Sequence, residues 1–136
     1  MGYRSSVMAL IYPDAESPEA DLARYEQLKV LMATTFKATI DGTDAVDGFS
    51  TCMTWVDDER VLKFELQDVK WYPTYSDVQA FMAMLEAFDG DSSDEIPGYC
   101  TEYVRIGEES SDVEQEYRGD NNHYYLAIRR SIDCNV

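Results

Sequence analysis

Basic residues are scarce in this 136-residue chain: 11 Lys and Arg face 27 Asp and Glu, for a formal net charge of −16. A chain so short of positive charge repels nucleic acid and anionic membranes and is drawn to basic protein surfaces. Cysteine is scarce too. Cys52, Cys100 and Cys134 are odd in number, far apart and outside any Cys-x-x-Cys spacing, which argues against a disulfide framework and a zinc site. A reducing cytoplasm suits that usage. His123 is the sole histidine, which excludes His-rich zinc sites and leaves one side chain with an ordinary pKa near neutrality. Nucleophile elbows, phosphate loops and paired-histidine motifs are absent. Long hydrophobic runs are missing as well: after Ser6 only about six apolar residues follow, too few for a signal peptide or a membrane span, so neither export nor anchoring is expected.

What is present argues for a packed fold. Hydrophobic residues make up 45% and aromatics 12%, including ten Tyr, five Phe and two Trp, which separates this chain from acidic disordered sequences. The length predicts one domain, residues 1–136, that buries about two-thirds of its unfolded surface.

Tyr3 to Tyr12 reads as a strand buried on both faces, ended by Pro13-Asp14. Ser17-Pro18 looks like an N-cap followed by proline at the first helical position, with Leu22, Tyr25, Leu28, Met32 and Thr35 on one stripe to about Lys37. Ile40 to Gly48 has turn composition. Two alternating strands follow, one around Phe49, Thr51, Met53 and Trp55 and one around Leu62, Phe64 and Leu66, joined at Asp57-Asp58-Glu59. Ser76-Asp77-Val78-Gln79 matches a capping box, and Val78, Phe81, Met82, Leu85 and Phe88 give helical spacing after it. Asp89 to Pro97 reads as an acidic loop and Tyr99 to Ile106 as a strand. Ser111-Asp112-Val113-Glu114 reads as a second capping box opening a short helix that Gly119 stops, and Tyr124 to Ile132 as a last strand. The order predicts an α+β fold of the ferredoxin-like type. That is a β-α-β-β-α-β antiparallel sheet with both long helices on one face, plus a short helix and a C-terminal strand. The other face is expected to lie open to solvent or a partner, carrying Trp55 or its neighbours, Lys63, Glu65, Tyr103 and Arg105 according to register.

Candidate chemistry is thin. The run Asp89-Gly90-Asp91-Ser92-Ser93-Asp94-Glu95 resembles a calcium loop but has Asp94 and Cys100 where the EF-hand needs glycine and a bidentate Glu, so it reads as a solvated loop. His123 sits in a turn with no nucleophile beside it. With 27 carboxylates, some pairing is guaranteed by chance, so no pair stands out as a general acid and base. Arg129 and Arg130 are adjacent on a strand and point to opposite faces, so they make no basic stripe for nucleic acid. No cofactor, no metal and no catalytic residue is expected.

The acids themselves are unevenly spread. Residues 1–37 hold five acids and four bases, whereas residues 86–136 hold thirteen and four. Asp89, Asp91, Asp94, Glu95, Glu102, Glu108, Glu109, Asp112, Glu114, Glu116 and Asp120 are the candidate partner-binding residues, set on two loops, a strand and a short helix. Strand positions two apart are about 6.6 Å from each other, comparable with phosphate spacing along a nucleic-acid strand, so such an array can occupy a basic groove in place of DNA or RNA.

Three segments carry a resemblance. Gly2-Tyr3-Arg4-Ser5 entering the first strand, Val69-Lys70-Trp71-Tyr72 before Asp77-Val78-Gln79, and Arg105-Ile106-Gly107-Glu108 before Asp112-Val113-Glu114 resemble a loose group of small tailed-bacteriophage proteins that start Gly-Tyr-Arg-Ser. The resemblance implies expression in the cytoplasm of an infected bacterium and transfers no catalytic residue. It adds to the expectation of a non-enzymatic inhibitor of host defence or host machinery. The expected partner is a basic protein surface, host nucleic-acid-binding proteins among the candidates, with no direct contact to nucleic acid or membrane. The chain itself is expected to be a monomer or homodimer. The alternatives are an assembly module that uses its open sheet face, and an enzyme on the same scaffold.

Overall fold

A computed structural model describes residues 3–14, 17–43, 48–88, 96, 98–109, 111–118, 125–128 and 132–134. The run SSVMALIYP forms strand β1 (Ser5–Pro13), with apolar side chains pointing both ways. Such a strand is stable only with cover on both faces and partners on both edges. β1 pairs antiparallel with β3 (Val61–Val69) on one side and β4 (Tyr99–Ile106) on the other. The full sheet runs β2-β3-β1-β4-β5, with β2 at Met53–Val56 and β5 at Val113–Arg118. The molecule is therefore α+β, built on a five-stranded antiparallel sheet.

Val7, Ala9 and Ile11 of β1 face the helix layer. They share a core with Leu28 and Met32 of α1 (Pro18–Ala33) and with Phe81, Met84 and Leu85 of α3 (Ser76–Glu86). The hydroxyl of Ser17 accepts the Ala20 N–H at 3.2 Å, and Pro18 takes the first turn, as expected. α1 ends at Ala33, not Lys37. The Thr34 hydroxyl bonds back to the Val30 carbonyl, and the chain restarts as α2 (Lys37–Asp41), which buries Ile40. Ile40 and Asp41, expected in the connecting loop, are therefore helical, and residues 44–47 of that expected loop lie outside the described residues. Leu22, expected on the buried stripe, is 47% exposed. Ahead of β2 a 3-10 turn at Ser50–Cys52 replaces the first residues of the expected strand.

The helix expected from Ser76 forms, but its capping box does not. Tyr75 occupies the N-cap without a side-chain bond, Asp77 receives the Val78 N–H, and Gln79 donates to the Pro73 carbonyl. The second expected capping box is overturned altogether: Val113–Arg118 is a strand, in register with β4 from Ile106↔Val113 to Thr101↔Arg118. The physical reason is the neighbour. β4 is buried along nearly its whole length, and its outer backbone edge must be hydrogen-bonded, a larger demand than one cap of about 1 kcal/mol.

The face of the sheet away from the helices is not open throughout. The expected strand Tyr124–Ile132 is a small hairpin instead, β6 (Leu126–Ile128) paired with β7 (Ile132–Cys134). Leu126, Tyr125, Ile132 and Cys134 pack with Met8, Leu10 and Tyr12 of β1 and with Val104 of β4 in a second core. Tyr103 and Arg105 lie on the helix side and are buried. Their register partners on β1, Ala9 and Val7, face the same way.

Candidate functional site: the acidic turn and edge strand after β4

β4 emerges from the core at Ile106, turns at Gly107, Glu108 and Glu109, and returns as the edge strand β5. Arg105 is the hub of this end. Its Nη2 and Nη1 donate to Asp112 Oδ1 and Oδ2 at 2.6 and 3.2 Å, its Nε to Glu114 Oε1 at 2.7 Å, and Nη1 also to the Ser5 hydroxyl at 3.0 Å. A two-pronged guanidinium–carboxylate pair fixes direction as well as distance. The Tyr3 hydroxyl donates to Asp112 Oδ2 at 2.7 Å and accepts the Glu109 N–H at 3.1 Å. The Arg4 N–H reaches Glu108 Oε1 at 2.9 Å, and the Tyr3 N–H reaches the Tyr72 hydroxyl at 2.6 Å. Gly107 leaves room for this network: a Cβ there would press on the Asp112 carboxylate and the Tyr3 hydroxyl and displace one of them. Tyr3, Tyr72, Arg105 and Asp112, from three segments distant in the chain, thus meet in one hydrogen-bond network.

The network sets the local electrostatics. Arg105 first, and the Tyr3 hydroxyl second, hold the Asp112 carboxyl below its usual range. Arg105 is pushed above its ordinary value, chiefly by its bond to Asp112. The Tyr3 hydroxyl is raised by the same carboxylate. Glu116 on β5 pairs with Arg118 Nη2 at 2.8 Å.

The eleven candidate carboxylates fall into three groups. Glu108, Glu109 and Glu114 are exposed and Glu116 is half-buried, all on the turn and edge strand, with Asp112 half-buried at the centre of the network. Glu102 is corrected: it is 0% exposed and lies on the hairpin side of the sheet. It accepts the Tyr12 hydroxyl at 2.7 Å, the Leu126 N–H at 3.0 Å and the Tyr125 N–H at 3.2 Å. It holds the hairpin rather than a partner. Asp89, Asp91, Asp94, Glu95 and Asp120 lie outside the described residues, as do His123, Arg129 and Arg130.

Sequence reasoning missed Arg105 as the hub and Tyr3 as its brace. The available signal was a lone arginine on an otherwise buried strand with four acids within nine residues after it. Among the described residues no three His, Cys, Asp or Glu converge as metal ligands, and no helix is long and apolar enough to cross a membrane.

The fold and this end together define an α+β protein with an acidic, internally braced sheet edge. No protein-family model matches the chain, and no curated protein or solved structure matches it.

Proposed function

We propose that this is a non-enzymatic protein that binds and blocks a basic surface of another protein in an infected bacterial cytoplasm. The observation that carries the reading is the placement of Glu108, Glu109, Glu114 and Glu116 on one turn and edge strand, with Glu114 held by Arg105, Glu116 by Arg118 and Glu108 by the Arg4 N–H. Charges held in place before binding lose less conformational entropy when a partner arrives. They also steer a basic partner toward the site. Nucleic-acid mimicry is the narrower form of the proposal, and its support is narrower too. Glu114 and Glu116 have the two-residue strand spacing of about 6.6 Å, but each already holds an arginine of its own chain. On the fold, the sheet order β2-β3-β1-β4 supports a ferredoxin-like reading with β5 added at the β4 edge.

The test is capture of bacterial proteins on the immobilised chain at low and high salt, repeated with the E108K/E109K/E116K variant. Basic proteins should be retained at low salt, released at high salt and lost with the variant. A captured partner whose affinity and salt dependence survive the charge reversal overturns the proposal.

A further inference from the structure

Between α3 and the β4–β5 ladder lies a cavity of about 240 Å³, walled by Trp71, Val78, Met82, Tyr103 and Glu114. Its walls are mainly apolar; Pro73 and Gln79 complete the lining, the Gln79 amide N–H donating to the Pro73 carbonyl, and two further polar groups interrupt them. The first is the Tyr103 hydroxyl. Tyr103 is 2% exposed, and its oxygen accepts the Trp71 indole N–H at 2.9 Å. Its own proton has no acceptor among the described residues, although a buried hydroxyl donor normally finds one. Desolvation, with the negative charge of Glu114 adding to it, pushes this hydroxyl far above the usual tyrosine range, so it stays a donor at every physiological pH. The second is the Glu114 carboxylate. Its Oε1 is held by Arg105, and the side chain is 47% exposed, so a ligand there takes the place of water.

Tyr103 and Glu114 sit on adjacent paired strands, Tyr103 opposite Glu116 and Arg105 opposite Glu114. The two are therefore diagonal neighbours, about 7–8 Å apart at the backbone. A ligand that satisfies both must offer an acceptor to the hydroxyl and a donor to the carboxylate, with an apolar body behind. No cationic side chain lines the cavity, so an anion gains nothing and meets the Glu114 charge. The volume is below the roughly 300–1,000 Å³ of drug-sized sites, which limits the ligand to a fragment or a single side chain.

We infer that this cavity is a binding site for a neutral carboxamide on a small apolar or aromatic body. Its carbonyl accepts from Tyr103, its amide N–H donates to Glu114, and its body packs against Trp71, Val78 and Met82. Glu114 belongs to both sites, but Glu108, Glu109 and Glu116 do not line the cavity, so reversing those three tests the acidic surface without touching this site.

Benzamide is the probe, benzoate and toluene its controls, and the NMR signal of the Trp71 indole N–H the readout. The Trp55 indole, on β2, serves as internal reference. Benzamide should shift the Trp71 signal saturably and leave Trp55 in place, with benzoate binding at least about tenfold weaker. Tyr103→Phe and Glu114→Gln should each weaken benzamide several-fold, while Tyr103→Phe leaves toluene as good or better. E108K/E109K/E116K should bind benzamide as the parent chain does. Equal shifts with benzamide and benzoate, or no saturable shift at Trp71, would overturn the inference.

Discussion

At the scale of single residues, the most consequential carboxylate is one that never reaches the surface. Glu102 is buried and satisfied by three donors from Tyr12, Tyr125 and Leu126, which is how an interior charge is tolerated. Glu102→Ala strands those donors and should cost about 3 kcal/mol in urea unfolding, with faster hydrogen exchange at the Leu126 amide. Glu102→Gln, which keeps an acceptor, should cost less. Asp112 gives a pH signature. Its carboxyl is depressed in the folded state by Arg105 and then by Tyr3. Its contribution is therefore complete above the ordinary carboxylate pKa of about 4 and is lost as pH falls through the lowered value. Asp112→Asn should lower the thermal midpoint at neutral pH, and the two proteins should converge in acid. A constant gap across the titration would contradict this. Neither role was legible beforehand: Glu102 and Asp112 look like any other acid in a chain with 27 of them.

At the scale of elements, periodic stripes and the Ser17 N-cap predicted well and the two capping boxes predicted poorly. β1 is the central strand its two-sided apolar pattern required, and α3 buries Val78, Phe81 and Leu85 as its spacing required. Both capping boxes failed, because a cap contributes about 1 kcal/mol and yields to any larger demand on the same residues. Asp112, expected as a helix opener, is held by Arg105 instead. One feature had no sequence signal. Between Ser5↔Val69 and Val7↔Leu66, β3 carries one residue more than β1, and Asp68 at this bulge has φ 55°. Arg4 Nη1 bonds its carbonyl at 3.1 Å. Left-handed backbone costs a branched residue about 1–2 kcal/mol, so Asp68→Val should destabilise by that amount while Asp68→Gly is neutral or stabilising, both read by chemical unfolding.

At the scale of the whole molecule, a net charge of −16 opposes compaction by self-repulsion. Arg105, Arg118, Lys29 and Lys37 offset part of it locally through ion pairs. Raising ionic strength from about 10 mM to about 150 mM shortens the screening length to about 8 Å, so the thermal midpoint should rise with salt. A midpoint that falls with salt would mean that the ion pairs outweigh the repulsion.

By itself the sequence determined the α+β class, the central strand, the two long helices and the concentration of acid in the second half, since each depends on composition or on spacing within a few residues. Tertiary structure alone decided which acids are exposed, which brace Arg105, and which one anchors the hairpin over the second sheet face. Those outcomes depend on partners distant along the chain, Tyr3 with Asp112 across 109 positions and Arg105 with Ser5 across 100. A carboxylate's role is set by what folds against it, and no local pattern encodes that.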